Sequence, residues 1–198
     1  MQTVKTSNDP ATRANDVLGA GNDVVTFLKG QHQQIKGLFD RVLSAKAQER
    51  AKAFVELRRL LAVHETAEEE IVHPAARRAL SSGNAIVEAR LREENEAKTV
   101  LSNLEKLDLD SPAFETEFRT FKQSVIAHAE AEEREEFDAL AIELDKDRLD
   151  RMKKAVQLAE AVAPTRPHPG VESATANLLV GPFAAMIDRV RDAISGKS

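Results

Sequence analysis

Four stretches of this chain carry apolar residues three and four positions apart, and each stripe is interrupted by a histidine or a glutamate. Leu28, His32, Ile35, Phe39 and Val42 share one helical face, as do Phe54, Leu57, Leu61, His64, Glu68 and Ile71. Val87, Leu91, Glu94, Ala97, Leu101 and Leu104 make a third face, and Phe114, Phe118, Phe121, Val125, His128 and Glu132 a fourth. This spacing predicts amphipathic helices that each bury one side. Burying an unpaired polar group costs about 1–3 kcal/mol, and a bare charge much more. Interruptions at matching heights on four helices therefore predict something inside the bundle that they bind together, and a metal ion is the first candidate.

The stripes predict an all-α fold: an up-down-up-down antiparallel four-helix bundle with a C-terminal helical extension. The second helix runs roughly from Gln48 to Val72, and Pro74 should bend or end it. Ser81, Ser82, Gly83 and Asn84 signal a turn and the start of a third helix reaching about Leu107. Asp110, Ser111 and Pro112 read as a cap followed by proline at the first helical position. Residues 1–21 read as a polar tail, 22–145 as the bundle, 146–163 as an additional helix and 164–170 as a Pro-rich linker that leaves His168 exposed. In 171–198, the residues Leu178, Leu179, Phe183, Met186, Ile187, Val190 and Ile194 form an amphipathic segment expected to dock on the bundle or on a second subunit.

Composition narrows the chemistry. With 28 Lys and Arg against 33 Asp and Glu, the 198-residue chain has a net charge of −5, which argues against nucleic acid as partner. It has no cysteine, so thiolate zinc and iron–sulfur sites are excluded and a metal must be held by nitrogen and oxygen. The polar start lacks the apolar run of a signal peptide, and no stretch is apolar enough to span a membrane, so the expectation is a cytoplasmic monomer or homodimer with no membrane partner.

Residues four apart on a helix lie on one face, about 5–6 Å apart, so a histidine and a glutamate at that spacing can reach one ion, or the glutamate can bridge two. His64 with Glu68, and His128 with Glu132, are such pairs. They sit in a weak internal repeat, His64 to Pro74 against His128 to Asp138. His32 on the first helix and Glu94 on the third fall at the same level. Six or seven donors from four helices suit two octahedral ions better than one tetrahedral zinc, with iron favoured over manganese. The neighbours Glu69, Glu70 and Glu133 read as solvated faces.

Over roughly residues 22–145 the chain resembles bacterial members of the hemerythrin-like, or HHE cation-binding, family. That family has an inward histidine in helix 1 and a histidine–glutamate pair four apart in helices 2 and 4, matching His32, His64 with Glu68, and His128 with Glu132. The resemblance implies a non-haem di-iron centre with an oxo or hydroxo bridge, and Glu68 and Glu132 as bridging carboxylates. It also implies reactivity toward hydrogen peroxide, nitric oxide or dioxygen. The enzymatic form would be a peroxidase- or catalase-like or nitric-oxide peroxidase activity; the alternative is an iron- or oxygen-binding or sensing module without turnover.

Helix 3 departs from the family pattern. Where the family places a histidine, this chain has Glu94 followed by Asn95. An oxygen-rich site favours ferric iron, which moves the expectation from oxygen carrier to peroxide or nitric-oxide chemistry. His73 has two readings: a polar-tipped filler at the helix end, or a ligand replacing the missing histidine. Phe54, Leu61, Asn95 and Val125 are the candidate cavity lining. For Phe54, ordinary core is the other reading, since about ten residues of helix separate it from His64. The chain has no tyrosine, so no phenolate can close a coordination position.

Overall fold

The structure, a computed structural model, describes residues 23–163. The expected polar tail, the linker with His168 and the C-terminal amphipathic segment lie outside the described residues. Within them every regular element is helical. Helix α1 (Val24–Ser44) starts at Asp23, whose side chain accepts from the Thr26 N–H at 2.9 Å. Helix α2 (Ala47–Ala67) passes into a π-helical segment, Glu68–Val72, and then into α3 (His73–Ala79). Helix α4 (Gly83–Leu104) follows a tight turn, and α5 (Pro112–Glu132) begins at Ser111, whose hydroxyl accepts from the Phe114 N–H at 3.1 Å. A second π-helical segment, Glu133–Phe137, leads to α6 (Asp138–Glu143), and α7 (Lys146–Val162) completes the described chain.

Pro74 does not end its helix: helical structure continues to Ala79. The helix changes its bonding first: the His73 N–H reaches back five residues to the Glu68 carbonyl. Pro74 then sits in the first turn of α3, where a missing N–H leaves no bond unmade. The third helix ends at Leu104 rather than near Leu107, because residues 105–107 tighten into a turn closed by Leu107 N–H to the Leu104 carbonyl at 3.2 Å. The α3–α4 turn brings two backbones so close that a Cβ on Gly83 would run into the Ala76 carbonyl, so glycine is required there.

Two apolar clusters fill the interior. The lower one joins Ile35, Phe39 and Val42 of α1, Phe54, Leu57 and Leu61 of α2, Leu101 and Leu104 of α4, and Phe114, Phe118 and Phe121 of α5. The upper one joins Val24 and Leu28, Ile71 and Val72, Val87, and Phe137 with Leu140. Successive long helices cross the two clusters in alternate order, so neighbours in sequence run antiparallel. Helix α7 adds Leu149, Met152, Ala155, Val156 and Ala159 to the upper cluster and packs on α1, α2 and the first π segment. It is a structural member of the core rather than an appendage. Among the described residues, no helix is long and apolar enough to cross a membrane.

Candidate metal centre

Between the two clusters lies a buried polar layer. Each stripe changes chemistry there: His32 follows Leu28 and precedes Ile35, His64 follows Leu61, Glu94 precedes Leu101, and His128 follows Val125. Glu68, Glu94, Glu132 and Glu136 are at most 1% exposed, and His32, His64 and His73 at most 3%. The two π turns shape this layer. A π turn inserts one extra residue, so the residue five after each ligand-type glutamate joins the residue four after it in the interior. After Glu68 that residue is His73; after Glu132 it is Phe137, which stacks on the His32 ring at 5.6 Å and 16°.

The donor atoms fall into three groups: His32, His64, Glu68 and Glu132; Glu94, His128 and Glu132; and His73, Glu132 and Glu136. Glu132 is common to all three. Its Oε2 stands 3.5 Å from the Nε2 of both His32 and His128. His64 Nε2 approaches Glu68 Oε1 at 3.1 Å without the alignment of a hydrogen bond. His32 Nε2, both oxygens of Glu68, both of Glu132 and Oε2 of Glu94 are buried with no hydrogen-bond partner. Native interiors leave few such atoms, because each costs about 1–3 kcal/mol. Carboxylate and imidazole atoms converging in this way are the donor set that hard or borderline cations take, so the residues fit a metal centre.

The remaining contacts hold the layer in place. The Nδ1 atoms of His32, His64 and His128 meet Glu133, Gln31 and Glu93 at 2.8, 2.7 and 2.8 Å. His73 is held between Glu136, 2.9 Å from Nδ1, and Glu94, 2.8 Å from Nε2. Lys98, itself buried, is ion-paired with Glu69, and stands 3.8 Å from Glu65 and 4.0 Å from Glu94. Arg90, 4% exposed, pairs with Glu93 at 3.2 Å behind His128.

Burial and pairing set the charges. Burial pushes the Glu68 carboxyl up to about 8, and Glu65 and Glu69 up to about 8 and 7 against the pull of Lys98. Burial and the neighbouring His32 charge push His64 down to about 3, so it is a neutral donor at physiological pH. Burial also opposes charge on His32 and His128, but Glu132 with Glu133, and Glu132 with Glu93, outweigh it and raise them to about 9 and about 10. Burial alone would raise Glu94; the His73 charge and hydrogen bond reverse this and hold it at about 2.

A cavity of about 150 Å³ opens beside the layer. His32, His64, Glu94 and His128 form its floor, Leu61, Phe121 and Val125 part of its walls, and Lys36 and Ser124 also line it. Leu61 and Val125 are among its lining residues. Phe54 and Asn95 do not line this cavity. Phe54 packs on Phe114 and Phe118 at 5.5 and 6.0 Å, within the lower cluster, because α2 stays regular between it and His64.

Two of the three acidic residues expected on solvated faces are buried, and the third, Glu133, is partly exposed. Glu69 is 9% and Glu70 0% exposed, and Glu133 is bonded to His32. The π turn rotates its own residues, and α7 packs over that segment, which a four-helix picture leaves open. Sequence reasoning missed Glu136, Gln31, Glu65, Glu93 and Lys98. Glu136 had a signal, its position four after Glu132; Lys98 likewise lies four after Glu94.

A family model described as the hemerythrin HHE cation binding domain matches residues 23–140. The fold is similar to the crystal structure of a hemerythrin HHE cation-binding domain-containing protein from Mycobacterium kansasii, with a TM-score of 0.63 and 23% identity over 85% of this chain and 98% of that one. No curated protein matches the chain. A match spanning more than half of the chain, over the helices that carry the buried histidine–glutamate layer, shows that the chain belongs to the hemerythrin HHE cation-binding family.

Proposed function

We propose that the polar layer holds two iron ions and that the protein reacts with hydrogen peroxide in the cavity beside it. The observation that carries this reading is the convergence of unpartnered, buried donor atoms from His32, Glu68, Glu94 and Glu132. His32, His64, Glu68 and Glu132 would hold one ion, and His128, Glu94 and Glu132 the other, with Glu132 shared. More than four nitrogen and oxygen donors, with no thiolate, favour iron, with manganese second. Glu68 groups with the first set alone, so the structure supports a bridging role for Glu132 more strongly than for Glu68.

Bound iron supplies redox chemistry toward an O–O bond; the chain supplies the surroundings. The apolar walls of Leu61, Phe121 and Val125 limit water, and about 150 Å³ accommodates a peroxide molecule or a diatomic gas but not a large substrate. Glu65 lines the same cavity, with Lys98 behind it, so the wall carries exchangeable protons. Decomposing two peroxides to two waters and dioxygen passes two protons and two electrons from the peroxide oxidised to the one reduced, so a proton-carrying wall serves it, whereas reversible gas binding needs none.

The test is iron-loaded protein with about two irons per chain, a near-ultraviolet ferric absorption, and steady decomposition of added hydrogen peroxide that His64→Ala abolishes. Iron uptake without turnover, with reversible spectral change under nitric oxide or dioxygen, would replace this reading by a binding or sensing role. Full helicity with no metal uptake would end the metal reading.

A further inference from the structure

The four histidines of the layer are oriented in one way. Nδ1 of His32, His64, His128 and His73 meets a side-chain oxygen of Glu133, Gln31, Glu93 and Glu136 at 2.8, 2.7, 2.8 and 2.9 Å. A metal-ligating imidazole gives its second N–H to a carboxylate, carbonyl or water, which sets the tautomer and aims the ring. Nε2 of His73 is hydrogen-bonded to Glu94 Oε1 at 2.8 Å, whereas Nε2 of His64 faces Glu68 Oε1 at 3.1 Å without that alignment. Two donors bound at right angles to one ion, each about 2.1 Å from it, lie about 3 Å apart. The His73–Glu94 pair has that spacing, and its Glu94 lies on α4, which carries no histidine, unlike α1, α2 and α5.

The placement of His73 has a local cause. In an uninterrupted α-helix the residue nine after His64 would be turned away from the face of Glu68. The π turn over Glu68–Val72 absorbs one residue and returns His73 to the inner face, 2% exposed. π turns inside α-helices carry an unfavourable geometry and recur at functional sites.

We infer that His73 is a fourth imidazole ligand of the metal centre, on the side of Glu94, and that Glu136 is the positioning carboxylate that aims it. The inference rests on the metal-binding reading above. His73 then supplies the nitrogen that α4 does not, and it joins the layer through Glu132, whose donor atoms group with those of His73 as well as with those of His128 and Glu94. The competing arrangement is a cationic His73 that clamps Glu94 and Glu136 together and touches no metal.

Wild-type protein loaded with cobalt(II) separates the two. Each coordinated imidazole gives one hyperfine-shifted, exchangeable N–H proton resonance. Four such resonances support the inference, and three overturn it while leaving the metal reading intact. Protein that takes up neither cobalt nor iron overturns both. In His73→Ala, bound iron is expected to fall from about two to about one per chain, with added imidazole restoring the second; unchanged stoichiometry and spectrum overturn the inference. Glu136→Gln keeps an acceptor for Nδ1–H and is expected to keep the fourth resonance. Glu136→Leu removes it and is expected to weaken the second metal by about 10–100-fold; equal affinity in Glu136→Leu counts against the positioning role.

Discussion

His64 shows how little of a residue's chemistry resides in the residue itself. Burial keeps its ring neutral, and the Gln31 carboxamide oxygen, 2.7 Å from Nδ1, selects the tautomer that turns Nε2 inward. Gln31→Leu is therefore expected to leave the fold intact and weaken metal binding by about 10–100-fold in a competitive chelator titration; unchanged affinity would sink this role. Lys98 makes the opposite point. It is a cation enclosed by Glu65, Glu69 and Glu94. Lys98→Met leaves those carboxylates without their countercharge and is expected to destabilise the protein by about 3–5 kcal/mol in urea unfolding. The histidines and Glu94 were legible in the sequence because they interrupt apolar stripes. Gln31 was not, because it sits beside its stripe and becomes interior only when a neighbouring helix closes over it.

The elements divide by task. Much of the lower aromatic cluster supports the fold away from the cavity: Phe118 contacts Phe39, Phe54 and Phe114, has no exposed surface and does not line it. Phe118→Ala is expected to cost about 3–5 kcal/mol of stability with metal stoichiometry unchanged, checked by thermal unfolding beside metal analysis. Gly83 governs the α3–α4 turn, so Gly83→Ala should destabilise by about 1–3 kcal/mol as the new Cβ forces the Ala76 carbonyl aside. Helix starts at Asp23 and Ser111 follow directly from capping chemistry, whereas the π turns have no such signature. A π turn is chosen when the sum of packing on both sides favours one extra residue, and that sum includes α7, which the sequence presented as an extension.

At the scale of the whole molecule, the layer sets how stability depends on pH. Glu65, Glu68 and Glu69 titrate near 8, 8 and 7 in the folded protein, and His32 and His128 near 9 and 10. All five are raised above their unfolded values, so between about pH 6.5 and 8 the folded state binds more protons and loses stability as pH rises. His64, depressed to about 3, works the other way, adding stability above about 6.5 that is lost as pH falls. Metal-free protein should therefore melt at a lower temperature at pH 8 than at pH 6.5. Metal loading, which needs deprotonated donors, should remove or reverse that slope; a metal-free melting temperature that rises across this window would contradict the charge assignment. The sequence alone determined the all-α class, the four inward faces and the level at which histidine and glutamate meet, because helical periodicity is local and apolar stripes have only one way to be buried. Tertiary packing alone decided that the helix continues past Pro74, that His73 and Glu70 turn inward, and that α7 closes the upper end. Each of these depends on contacts between residues distant in the chain, and spacing along one helix carries no record of them.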